Sequence, residues 1–235
     1  AYMTVGTAVS SVFFPHVSTL FHHDHDMEAI SVLFIKVGRI SLMLCLAILG
    51  GFAILGSDFM TLWAGEGYSE AYVIALVIMI PFTIDLIQNL GLTIMQVMNR
   101  YQFRGIVYLT IALLNVALTI VLLQVCGLIG AAVSTAIAMF VGNGLIMNWY
   151  YKTKIGLDVQ KFWKSIMDIL VPGIIYFTMF GAAYWLLPIA HGSWLTLVLA
   201  GIFFAAGYLL VLKLFAMNEY EKSLVHSFLT RRLEP

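Results

Sequence analysis

Six polar side chains interrupt one apolar run. The stretch from Pro81 to Arg104 reads PFTIDLIQNLGLTIMQVMNRYQFR and carries Asp85, Gln88, Asn89, Gln96, Asn99 and Arg100. At about 100° per residue, all six fall within an arc of roughly 120° on one helix, with Leu92 among them. The opposite face is Ile, Leu, Met, Val and Gly. A helix in lipid does not turn such a stripe outward; it faces other helices or a wet cavity. The chemistry on offer is reversible binding. A carboxylate takes a proton or pairs with a cation, amides exchange hydrogen bonds with hydroxyls, and a guanidinium meets an anion. Asp85 would lie close to mid-membrane, where a charge costs most, either protonated or paired. A structural hydrogen bond to a neighbouring helix is the alternative role. Asn115, one turn before Thr119 in the next apolar segment, is a seventh candidate. Asn143 and Asn148 are weaker ones.

Catalysis has no foothold. There is no Gly-rich phosphate loop, no His-x-x-x-His pair and no spacing that suggests an activated nucleophile. Cys45 and Cys126 make neither a disulfide framework nor a metal cluster. His22, His23, Asp24, His25 and Asp26 are zinc-ligand types crowded into one polar loop, with no second cluster to complete a site. The expectation is a non-enzyme with no cofactor and no metal.

The elements that position these residues are membrane spans. The chain is 62% hydrophobic and 10% charged, against about 25% charged in ordinary soluble domains. Its net charge is zero, so nothing favours nucleic acid, and the partner composition demands is a lipid bilayer. Segments of about 20 apolar residues predict seven spans. They are Tyr2 to Leu20, Leu33 to Leu55, Tyr72 to Met98, Gly105 to Val125, Leu128 to Tyr151, Ile166 to Leu187 and Trp194 to Phe215. The fold class is all-α, a polytopic membrane helical bundle. All twelve Lys and Arg fall on alternate connections: Lys36 and Arg39, Arg100 and Arg104, Lys152 to Lys164, and Lys213 to Arg232. The positive-inside rule makes that side cytoplasmic, the C-terminal tail included. Arg100 and Arg104 would then mark the cytoplasmic boundary.

Local signals add detail. Pro81 can kink its span. In CGLIGAAVSTAIA, Gly127 with Ala131 and Gly130 with Ser134 are small-xxx-small pairs that allow a tight hairpin. Thr4, Gly6, Thr7, Ser10 and Ser11 give the first span a face for packing or for lining a cavity. Phe162 and Trp163, among four lysines, suggest an interfacial helix capped by Asp158. Lys164 can pair with Asp168 one turn on. Asn218 and Glu221 have the spacing of a capping box, and the tail after them is amphipathic. The first segment has no basic residues before it and no cleavage site after it. It reads as a helix entered at its start or partway along, and the chain as a fragment.

Three stretches resemble the bacterial polysaccharide and O-antigen flippases of the multidrug/oligosaccharidyl-lipid/polysaccharide exporter superfamily. They are FFPHVS (Phe13 to Ser18), LWAGEGYSEA (Leu62 to Ala71) and NVALTIVLLQVCGLIGAAVSTAIA (Asn115 to Ala138). The resemblance extends to about Lys154; the last two spans fit by topology. It implies the C-terminal bundle of a twelve- or fourteen-helix transporter in the bacterial cytoplasmic (inner) membrane. Residues 1–151 would form five core spans, 152–165 a cytoplasmic interfacial linker, 166–216 two peripheral spans and 217–235 a cytoplasmic amphipathic tail. It implies alternating access for a lipid-linked sugar, with the N-terminal half of the same transporter as the facing wall. No binding residue carries over from the family. Such flippases often place basic residues in the cavity, and the span assignment leaves none at mid-depth here. A multidrug cation antiporter using H⁺ or Na⁺ is the nearest alternative. A polysaccharide polymerase or acyltransferase is more remote, since the outer loops hold no Arg and only His191.

Overall fold

The computed structural model describes residues 2, 12–21, 26–186 and 192–223. The described residues are helical, with no strand among them. Five stretches are long and apolar enough to cross a membrane: Met27–Ala64, Glu66–Val97, Gln102–Ile155, Val159–Leu186 and Trp194–Ala216. Residues 3–11 of the expected first span, with Thr4, Gly6, Thr7, Ser10 and Ser11, lie outside the described residues. So do His22 to His25, His191 and the tail from Leu224.

Helix α1 (Phe14–Thr19) is short and packs on α4. Helix α2 (Met27–Ala64) is the axis of the molecule. Asp26 caps its start, its Oδ1 accepting the Ala29 N–H at 2.9 Å. Gly65, at φ +95°, ends it. The next span comes in two pieces, α3 (Ser69–Ile87) and α4 (Asn89–Val97). Helix α3 runs on through Pro81, and the break falls at Gln88 (φ −98°, ψ 7°). A stripe spanning both pieces as one continuous helix therefore does not form.

Helix α5 (Gln102–Met139) doubles back on itself. Gly127 has φ 61° and ψ −145°, outside helical space. Asn115 and Ser134 would stand about 28 Å apart on a straight helix, yet their side chains meet at 3.0 Å. Residues 102–126 and 128–139 are thus antiparallel arms. Gly130 lies so close to the Leu122 carbonyl that a Cβ there would collide with it. The small-residue hairpin expected from sequence forms. The second arm continues through a π-helical turn (Phe140–Ile146), α6 (Met147–Tyr150) and a second π turn (Tyr151–Ile155).

Gly156, at φ +87°, turns the chain into α7 (Val159–Leu186). Asp158 caps α7, its Oδ1 accepting the Lys161 N–H at 3.0 Å. Phe162 is fully buried and stacks on Phe34 of α2 at 4.5 Å. Lys164 and Asp168 form no ion pair among the described residues. Helix α8 (Trp194–Val211) ends in a π turn (Leu212–Ala216).

The contacts divide the bundle into two sides of α2. On one side α3 packs on α2, and α5 packs on α3. On the other side α7 and α8 pack on α2 and on each other. That second interface is aromatic, with Tyr176, Phe177, Phe204 and Tyr208 ringed together at centroid spacings of 5.5–6.3 Å. Lipid gives no hydrophobic drive for helix association, so packing of this kind must hold the helices. Each ring pair adds about 0.5–1.5 kcal/mol. The Tyr208 hydroxyl also donates to the Met43 carbonyl at 3.0 Å, and Gly50 admits the Phe177 ring.

Candidate functional site

The break at Gln88 builds the site. If 69–98 were one straight helix, Asp85 would stand about 20 Å along the axis from Met98. That is farther than an arginine at the start of α5 can reach. With the axis broken, Arg104 Nη2 lies 3.2 Å from Asp85 Oδ1. Arg104 is therefore buried against α3. Its side chain is 5% exposed and that of Asp85 19%. A basic residue thus stands inside the bundle.

The pair is incompletely satisfied. The same Arg104 Nη2 donates to the Tyr108 hydroxyl, one turn on, and the guanidinium lies over that ring at 4.5 Å. Arg104 Nε is buried without a hydrogen-bond partner. A buried orphan donor costs about 1–3 kcal/mol. Arg104 thus holds Asp85 through one nitrogen, where a forked arginine–carboxylate pair uses two.

Beside this pair lies an amide relay. Gln88, 3% exposed, and Asn148 of α6 exchange hydrogen bonds in both directions at 3.3 Å. Asn148 Nδ2 also donates to the Gly144 carbonyl at 2.7 Å, and its Oδ1 accepts the Trp163 indole N–H at 2.8 Å. Close by, the Tyr151 hydroxyl fills the space over Gly91, 2.7 Å from where a Cβ would be. Asn143 is buried in the π turn, its Oδ1 without a partner.

The remaining candidates separate. Asn89 begins α4, half-buried. Gln96 is exposed. Asn99 is exposed in left-handed conformation, φ 54°. It is the C′ residue of α4. Its N–H reaches the Gln96 carbonyl at 3.1 Å, and the Arg100 N–H reaches that of Met95 at 2.8 Å. Those two bonds make a Schellman motif, which explains an Asn there. Arg100 is exposed and donates to the Lys154 carbonyl, capping the second π turn. Asn115 belongs to the hairpin: its Oδ1 accepts from Thr119, Ser134 and Thr135 at 3.0–3.3 Å. Of the seven, Asp85 joins the ion pair, Gln88 the amide relay and Asn115 the hairpin network.

A second buried arginine was also set at the boundary by the charge count. Arg39 Nε and Nη2 grip Glu221 Oε1 and Oε2 at 2.6 and 2.9 Å. Arg39 Nη1 donates to the Ser165 carbonyl and Nη2 to that of Ala216, both at 2.7 Å. Sequence reasoning missed the roles of Arg104, Tyr108 and Trp163. For Arg39 a signal existed, since it falls inside the Leu33 to Leu55 apolar segment, where a charge needs a buried partner.

Among the described residues no group of three His, Cys, Asp or Glu side chains is placed to hold a metal ion. No family model, curated protein or solved structure matches the chain.

Proposed function

We propose that this bundle is part of a membrane transporter that moves a lipid-linked oligosaccharide across the bacterial cytoplasmic membrane by alternating access. The observation that carries the reading is the Asp85–Arg104 pair, buried at a helix break and held through one nitrogen. Transporter sites favour discontinuous membrane helices, where freed backbone and polar side chains face a cavity. An ionisable residue inside a membrane bundle is by default a functional one.

The neighbouring groups suit a sugar. Gln88 and Asn148 satisfy each other in this state. Either amide can exchange its partner for a hydroxyl at little net cost, because both can donate and accept. Trp163 adds an indole N–H to the relay. Arg104 supplies the cation that a pyrophosphate linkage needs, and Asp85 masks it until substrate arrives. A second bundle would form the facing wall. No chemistry on the substrate is proposed.

A cation antiporter of the same superfamily is the second reading. Asp85 favours it, as the more exposed partner of the pair. The test is flipping of a fluorescent lipid-linked oligosaccharide in proteoliposomes containing the complete protein. Saturable flipping, lost in Arg104→Met, supports the sugar reading. Cation-driven pH change without flipping replaces it with the antiporter.

A further inference from the structure

The segment after α8 is seated on the bundle by an unusual concentration of bonds. Its start is preorganised: Asn218 N–H donates to Glu221 Oε2, and Glu221 N–H donates to Asn218 Oδ1, each at 2.9 Å. This reciprocal capping box aims one carboxylate at one guanidinium. Arg39 then spends four of its five N–H donors on Glu221, Ser165 and Ala216. Those acceptors belong to the tail, to α7 and to the end of α8, while Arg39 belongs to α2. One turn earlier on α2, Lys36 lies over the Tyr220 ring at 4.4 Å.

A cavity of about 600 Å³ opens beside this seat, lined by Lys36, Arg39, Ser165, Asp168 and Asn218 among others. Asp168 stands one turn beyond Ser165 on α7 and forms no ion pair among the described residues. It faces the same cavity as Arg39 with a carboxylate in reserve. Losing Glu221 would ordinarily strand a buried charge, a strongly destabilising event. With Asp168 at hand it need not.

We propose that residues 217–223 are a releasable strap. With Glu221 on Arg39, the strap locks α2, α7 and α8 into one body. On release, Arg39 turns to Asp168 and the tail leaves the bundle. Both arrangements neutralise the same guanidinium, so the element has two discrete states. The lock also sits level with the break in the opposite side. The Ile87 carbonyl lies 2.9 Å from the Cβ position of Gly38, the residue before Arg39. A locked α2–α7–α8 body leaves the Gln88 break as the place that deforms. The inference stands whatever the bundle transports.

The test is hydrogen exchange of the complete protein in lipid nanodiscs, which needs no substrate. Glu221→Gln should speed exchange of amides 218–223 at least tenfold and leave the α2 amides near Phe34 unchanged. Asp168→Asn alone should change neither. The double variant should lower Tm by more than the two single variants together, because Arg39 then has no carboxylate. Should Glu221→Gln fold poorly, Asn218→Ala removes the cap instead. It should speed strap exchange severalfold, and more so when combined with Asp168→Asn. Unchanged strap exchange in Glu221→Gln, or in Asn218→Ala where that variant replaces it, overturns the lock. Strict additivity with Asp168→Asn overturns the second state.

Discussion

Two buried arginines flank the same level of α2, and they are held very differently. Arg39 meets Glu221 with two nitrogens and two further carbonyls, and both side chains are at most 6% exposed. Arg104 meets Asp85 with one nitrogen, shares that nitrogen with Tyr108, and leaves Nε bare. A saturated ion pair is a fastener. An unsaturated one retains donor capacity for something else. The helices around them agree. Arg39 joins three packed helices on the aromatic side. Arg104 sits where α3 and α4 part.

Four substitutions sharpen this contrast, read as unfolding free energies in one lipid or detergent system. Arg39→Ala should cost the most, about 3 kcal/mol. That is the lower edge for breaking a buried pair, because the strap can carry Glu221 out to water. Arg104→Met should cost less, about 1–2 kcal/mol, since it removes the orphan Nε while Asp85 keeps some access to solvent. A larger loss at Arg104 than at Arg39 would invert the comparison. Trp163→Phe deletes one hydrogen bond to Asn148 and should cost about 1 kcal/mol. Arg100→Ala removes an exposed cap on the Lys154 carbonyl and should cost about 0.5 kcal/mol. Arg100 and Arg39 both bond a carbonyl at a helix C-terminus, so the gap between them reports burial together with the Glu221 pair and the Ser165 bond.

The smallest expected effect is at the start of α7. The Lys161 N–H, bonded to Asp158, holds that exposed carboxylate below its ordinary range. A depressed folded value stabilises above the unfolded pKa of about 3.9 and is lost as pH falls through the folded value. The thermal midpoint should therefore decline slightly more below pH 4 in the native protein than in Asp158→Asn. An identical decline would remove Asp158 from the account.

The parts of this design that sequence reveals are the local ones. The helical membrane class, the Gly127 hairpin, the Asp158 cap and the Asn218–Glu221 box all follow from neighbours within a few residues. What escapes are contacts across the chain. Glu221 lies 182 positions from Arg39, and no periodicity links them. The Gln88 break escapes for another reason. Pro81 is the visible breaker, yet α3 continues through it, while Gln88 carries no breaker of its own. Assuming one straight helix then aligned Gln96, Asn99 and Arg100 with Asp85, although Asn99 and Arg100 serve the end of α4. Counting charges by connection likewise cannot show that the Arg104 side chain is buried against Asp85.

The contrast between the two arginines assigns Asp85 to transport and Glu221 to fastening. The most direct measurement is the initial rate of lipid-linked oligosaccharide flipping by the complete protein in proteoliposomes. It compares Asp85→Asn and Glu221→Gln at equal folded amounts. That contrast predicts at least a tenfold loss for Asp85→Asn, beyond what its lowered unfolding midpoint explains, and flipping retained by Glu221→Gln. Wild-type flipping by a folded Asp85→Asn protein would contradict it.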